Sequence, residues 1–150
     1  MKYEILPDDT VDQGGVTLHR IKRIADGALG GYIESEANLD QTGSSWLSEI
    51  SRAFGKASVK DNAQLYGLAY DNAVIAGSAV VYGVVRDQGK VLDNAVVHGS
   101  VYENATVKDF GMVNGSAHGN AIVQDHAKVF GSIYGDVVAK GNQVIYGSQG

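Results

Sequence analysis

Tyrosine, histidine and arginine are the side chains best equipped for chemistry here, and along residues 55–150 they fall at two places of a repeating unit. When that stretch is cut every sixteen residues from Gly55, position 12 holds Tyr66, Tyr82, His98, Asn114, Phe130 and Tyr146. Position 16 holds Tyr70, Arg86, Tyr102, His118, Tyr134 and Gly150, with Phe54 one unit earlier. Rings and a guanidinium at regular intervals could recognise a base, a sugar or a partner's side chain by stacking. They could equally stack on one another, at about 0.5–1.5 kcal/mol per pair. An acid–base step would run through His98 or His118, while His126 stands at a corner of the unit. No GxSxG, HExxH or P-loop is present. Asp61, Asp87, Asp93, Glu103, Asp109 and Asp125 alternate with glycine without a GGxGxD calcium pattern, and read as turn residues. With no cysteine either, neither a metal nor a cofactor is expected.

The elements that carry these side chains follow from the rest of the unit. Gly67, Gly83, Gly99, Gly115, Gly131 and Gly147 recur every sixteen residues without a miss. Each unit divides into sides of six, six and four residues, as in GKASVK-DNAQLY-GLAY and GNAIVQ-DHAKVF-GSIY. Positions 3, 5, 9, 11 and 15 are small or β-branched almost throughout, for example Ala57, Val59, Ala63, Leu65 and Ala69. Alternation two residues apart is the period of a strand, and no helix gathers those positions on one face. Three short strands per turn, each turning its apolar residues inward, make an all-β parallel β-helix of six coils over residues 55–150. Corners fall at Gly, Asp and Asn, which tolerate positive φ, and the sixteen-spaced glycine marks a corner with no room for a side chain.

Residues 1–54 are expected to form an N-terminal cap with one or two irregular turns, covering the open edge and core of the first coil. Lys2–Leu6 and Val16–Ile24 read as strands separated by Pro7-Asp8-Asp9, Gly30-Gly31 opens a looser stretch, and Trp46 packs within the cap. The basic cluster His19-Arg20-Lys22-Arg23 reads as a solvated strand face among acids. Net charge is −4 over residues 1–54 and −1 over 55–150, which argues against a nucleic-acid surface. No run of about 18 apolar residues spans a membrane, and the N-terminus lacks a secretory signature, so a cytoplasmic location is the default.

A second outward set is apolar. Val74, Ile122 and Val138 occupy position 4, and Val80, Val96, Met112 and Val144 occupy position 10. Exposed apolar stripes mark interfaces, so a homo-oligomer, dimer or trimer, is expected. Gln143 and Gln149 stand at inward positions of the last unit only, which points to a wet terminal coil or one that pairs with another chain.

Runs such as Gly119-Asn120-Ala121-x-Val123 and Asp61-Asn62-Ala63-x-Leu65-Tyr66-Gly67 resemble the hexapeptide-repeat proteins. The leader GGYIESEANL at 30–39, followed by Trp46, is similar to the phage- and prophage-borne branch of that group. The resemblance implies a left-handed coil. It also offers acyl transfer from coenzyme A, with a histidine such as His98, as one function, and a structural phage component as another. The chain departs from the family in shortening one side of each coil to four residues and in carrying no loop insertion. The function expected here is therefore non-enzymatic: binding of a protein partner, in its most specific form a phage-encoded block on a host defence protein.

Overall fold

In the computed structural model, which describes residues 1–150, the chain winds into a parallel β-solenoid of about seven turns. Inward residues step from Val59 to Leu65 to Ala69 to Ile75, so each coil advances by six, four and six residues. Homologous strands of successive coils pair in parallel and build three sheets. Face I is six-stranded and runs from Ser58–Val59 to Val138–Ala139. Face II is seven-stranded and runs from Trp46–Leu47 to Val144–Ile145. Face III is ten-stranded, because the N-terminal hairpin extends the file that ends at Ser148–Gln149.

The strands of the coils are only two residues long, and in all but the last coil the second residue of each pair points into the core. With three sheets converging on one axis, there is room inside for alanine, valine and an occasional leucine or isoleucine. A single cluster of 31 buried residues runs the length of the molecule from Tyr3 to Ile145. Inward burial fails at the end. Gln143 and Gln149 are exposed, and Gln143 turns its Oε1 back to accept the Lys140 N–H at 2.9 Å.

Two backbone devices hold the coil length at sixteen. The first is the glycine at position 13. It does not need a positive φ. A Cβ on Gly67, Gly83, Gly99, Gly115 or Gly131 would instead overlap the carbonyl oxygen of the homologous glycine in the next coil. The second lies at positions 1 and 7, where every residue from Gly55 to Gly141 has positive φ. Seven of these are Asp or Glu, from Asp61 at 60° to Glu103 at 53°. Aspartate tolerates this region better than most side chains. Its carboxylate also completes the corner. Asp61 accepts the Gly77 N–H at 2.9 Å, Asp93 that of Asp109 at 3.1 Å, Asp109 that of Asp125 at 3.0 Å, and Asp125 that of Gly141 at 2.9 Å. Asp71 and Asp87 do the same at the other corner, at 3.3 and 3.0 Å. A corner amide that no sheet ladder reaches is thereby satisfied.

The cap is built differently from its sequence expectation. Strand β1 (Tyr3–Gln13) runs through Pro7 without a break and pairs antiparallel with β2 (Val16–Arg23). The reversal is at Gly14-Gly15, with φ of 57° and 89°, the positive pair that a two-residue hairpin requires. Pro7-Asp8-Asp9 forms a bulge between the Ile5–Ile21 and Thr10–His19 pairs. Proline is accommodated because β1 is the edge strand and lacks only a hydrogen bond that would face solvent. Gly30-Gly31, expected to open a looser stretch, lies inside β3 (Leu29–Ile33), where a Cβ on Gly30 would meet Ile21 and Trp46 at 2.7 Å. β3 pairs antiparallel with β2 and parallel with Arg52–Ala53, joining the hairpin to the solenoid.

One irregular turn follows, from Ile33 through Leu39 and Leu47 to Ala53. Buried Asn38 pins it. Its Oδ1 accepts the Glu34 and Ser35 amides, and its Nδ2 donates to Gly55 O and Ala57 O of the first regular coil. Buried Tyr3 closes the top of the core and donates to Leu39 O at 2.5 Å; burial first, then Glu36 and Asp40, push its hydroxyl pKa up. Of the basic cluster, Arg20 is tied to Asp9 at 2.7 Å and to Tyr32, and Arg23 to Asp26. The Tyr32 hydroxyl, with Arg20 behind it, holds the Asp9 carboxyl below the usual range.

Two substitutions test these devices. Gly99→Ala should destabilise the fold by about 3 kcal/mol, a fall of about 10 °C in thermal midpoint by circular dichroism, because two coils must separate. Gly147→Ala, where a Cβ meets nothing within 4 Å, should leave the midpoint unchanged. In urea unfolding, Asp109→Asn keeps an acceptor and a tolerance for positive φ and should fall within about 0.5 kcal/mol of wild type. Asp109→Val loses both and should cost about 2–3 kcal/mol.

Candidate binding surface

Side chains at one position of the unit stand at successive coil heights, about 4.8 Å apart. Rings placed there stack. At position 12, Tyr66 and Tyr82 lie with centroids 4.8 Å apart, Tyr82 and His98 4.7 Å, and Phe130 and Tyr146 5.4 Å, all within 12° of parallel. At position 16, Phe54 and Tyr70 stack at 5.1 Å, Tyr102 and His118 at 4.7 Å, and His118 and Tyr134 at 5.2 Å. Arg86 completes this second file with its guanidinium 4.3 Å over Tyr102. Position 12 therefore has one rung without a planar ring or guanidinium, at Asn114.

This geometry limits what the files can do. Within a file the ring faces are turned to their neighbours, so a ligand meets ring edges, tyrosine hydroxyls and imidazole nitrogens. Stacking on a base or sugar needs a free face, and a file offers one only where it ends or breaks. Between the two files runs the short side of the coil. Its outward column is position 14, occupied by Leu68 and Val84 and then by Ser100, Ser116, Ser132 and Ser148. The position-13 glycines lie edge-on between coils and do not floor it. Ser116 and Ser132 share a hydrogen bond at 2.8 Å.

The outward apolar residues divide between two faces. On face II, Val80, Val96 and Met112 are consecutive and in register, bounded by Gln64 and Lys128. They are half-buried, whereas Val144 beyond Lys128 is exposed. On face I, Val74 is separated from Ile122 and Val138 by Lys90 and Thr106, so no continuous stripe forms there. Positions 10 and 12 share a parity, so the valine column and the Tyr66–His98 file belong to one outward surface.

A third file escaped the sequence reading. Phe110 and His126, at position 8, stack at 4.9 Å and 1° on the opposite margin of face II, and Phe110 is 55% exposed. The other four residues at that position are Asn62, Ser78, Asn94 and Asn142, so a two-ring file does not stand out by count. The surface concavities are shallow and follow the positive-φ corners. One is lined by Asp93, Asn94, Asp109, Phe110, Asp125 and His126, the other by Gly55, Lys56, Asp71, Asn72, Asp87 and Gln88. Of the histidines considered for acid–base work, His118 has a carboxylate partner, Glu103 Oε1 at 3.2 Å from Nδ1, which fixes its ring between Tyr102 and Tyr134. His98 is exposed and stacked on Tyr82.

The chain matches no protein-family model and no curated protein. Its stacked parallel coils of about sixteen residues agree with a hexapeptide-repeat β-helix. No helix is long and apolar enough to cross a membrane.

The files contribute to stability as well as to surface. Tyr82→Ala removes a ring between two neighbours and should cost about 1–3 kcal/mol in chemical unfolding. Tyr146→Ala, at the end of its file and 77% exposed, should cost about half of that or less.

Proposed function

We propose that this chain is a non-enzymatic binding protein that uses face II to engage protein, including a second copy of itself as a dimer or trimer. The observation that carries this reading is the in-register column Val80, Val96 and Met112, edged by Tyr82 and His98 on one side and by exposed Phe110 on the other. Apolar and aromatic area contiguous on a rigid surface is the composition of an interface core. The coils carry almost no net charge, so recognition rests on shape and apolar contact rather than on long-range attraction. The narrower reading is a phage-borne chain that blocks a defence protein in the host cytoplasm. It is supported by the resemblance carried by residues 30–39 and Trp46.

Light scattering on the wild type and on a Val80→Asp/Val96→Asp double variant tests the self-association. The wild type should run as a dimer or trimer and the variant as a monomer with an unchanged circular dichroism spectrum. A wild-type oligomer that the two aspartates leave intact would remove face II from the interface. A monomeric wild type would end the homo-oligomer reading and leave the face to a different protein.

A further inference from the structure

The margin of face II carries a chemistry that the valine column lacks. Phe110 and His126 stack there, with Phe110 55% exposed, and they line one shallow concavity together with Asp93, Asn94, Asp109 and Asp125. The three aspartates stand at position 7 of successive coils, about 4.8 Å apart. Each spends one carboxylate oxygen, Oδ2, on the amide of the next corner, at 3.1, 3.0 and 2.9 Å. The second oxygen of each accepts no hydrogen bond within the chain, and no lysine or arginine pairs with any of the three. Like charges at that spacing repel one another, and a cation set between them relieves the repulsion. The chain shows at its other corner what such a cation does. There Arg86 donates to Asp87 Oδ2 at 3.2 Å and lies 4.3 Å over the Tyr102 ring of the next coil. Asp93, with Phe110 in the next coil, repeats that combination of carboxylate and ring without an arginine.

We infer that this corner receives an arginine side chain from a protein partner other than a second copy. The inference rests on the reading of face II as a protein-binding surface and names the chemistry of what it binds. The stem of the arginine lies along the exposed rim of Phe110, inserted between no rungs, and its guanidinium reaches the free oxygens of Asp93 and Asp109. Five donors in a planar fork serve two carboxylates at once, whereas an ammonium is a compact point charge. Arginine set beside apolar contact is a recurrent centre of binding energy. Val96 and Met112, in the same two coils as Asp93 and Asp109, supply that contact. A second copy has no free arginine to offer. Arg20 is held by Asp9 and Tyr32, Arg23 by Asp26, Arg52 by Gln13 and Arg86 by Asp87. The chain contains no other arginine, and its net charge of −5 favours a basic partner at this corner over another copy.

Titration of isotope-labelled protein with the blocked tripeptide N-acetyl-Leu-Arg-Leu amide, followed by NMR, tests it. Saturable shifts are expected at the Phe110 and His126 rings, and affinity should fall as salt is raised. The same peptide with citrulline, the uncharged isostere, should bind about ten-fold more weakly, and with lysine about three-fold more weakly. Asp93→Asn/Asp109→Asn keeps both corner acceptors and hence the fold. It should lower affinity for the arginine peptide about ten-fold, to that of the citrulline peptide. Phe110→Ala should weaken all three peptides about five-fold. Asp61→Asn, at a corner of the same design with no ring beside it, should change nothing. The inference is overturned if the arginine peptide moves neither ring, or if the citrulline peptide binds as tightly. It is also overturned if the lysine peptide binds as tightly, which would admit a lysine of a second copy. A loss in Asp61→Asn equal to that of the double variant would overturn it as well, since the attraction would then be to the acidic chain at large. Light scattering on Val80→Asp/Val96→Asp decides the reading of face II separately, so self-association without arginine binding would end this inference and leave that reading standing.

Discussion

The backbone hydrogen bonds between homologous strands of adjacent coils are what the rest of this structure depends on. Ser58 N bonds Ala73 O, Val74 N bonds Gly89 O and Lys90 N bonds Ala105 O, and the pattern continues along the coils without a slip. Because this register is sixteen residues everywhere in the regular coils, each side chain sits against its own homologue above and below. A glycine can then be required by the carbonyl of the next glycine, and an aspartate can close the next corner. Local chemistry becomes repetitive because its nearest neighbour is a copy of itself.

The same rule makes the surface. Rings at positions 12 and 16 stack because the coil spacing is close to the separation at which offset rings attract. One departure in a column then becomes a local feature with a defined shape. Arg86 turns a rung of the second file into a cation over a ring. Asn114 leaves a rung without a ring, and Lys128 ends a run of apolar residues on face II. Specificity on a solenoid of this kind resides in the exceptions to its repeat.

The N-terminal cap obeys different physics. The first regular coil is preceded only by one irregular turn, so its edge and its core are covered in part by chain of another design. On face III an antiparallel hairpin covers the edge and Tyr3 the core. On face I, Asn38 donates to the carbonyls of Gly55 and Ala57, where a preceding coil would otherwise have served. These contacts join residues that no periodicity relates. Gln41 bonds the backbone of Lys2 and Tyr3, and Arg20 reaches Asp9, Gly30 and Tyr32.

The sequence by itself determined the coil. A sixteen-residue period with small inward residues at five positions admits one architecture, since a periodic chain meets only its own homologues and one unit predicts all contacts. It also placed every ring of the two files. Whether ring faces were free, that Leu68, Val84 and four serines floor the strip between the files, and that the valine column and one aromatic file share face II were decided by tertiary structure. Those depend on which way each corner turns, and a column of letters does not record direction. In the cap, Pro7 reads as a break because breaks are its commonest local meaning. Only the position of β1 at the sheet edge, where no strand needs the missing N–H, made it a bulge within a continuous strand.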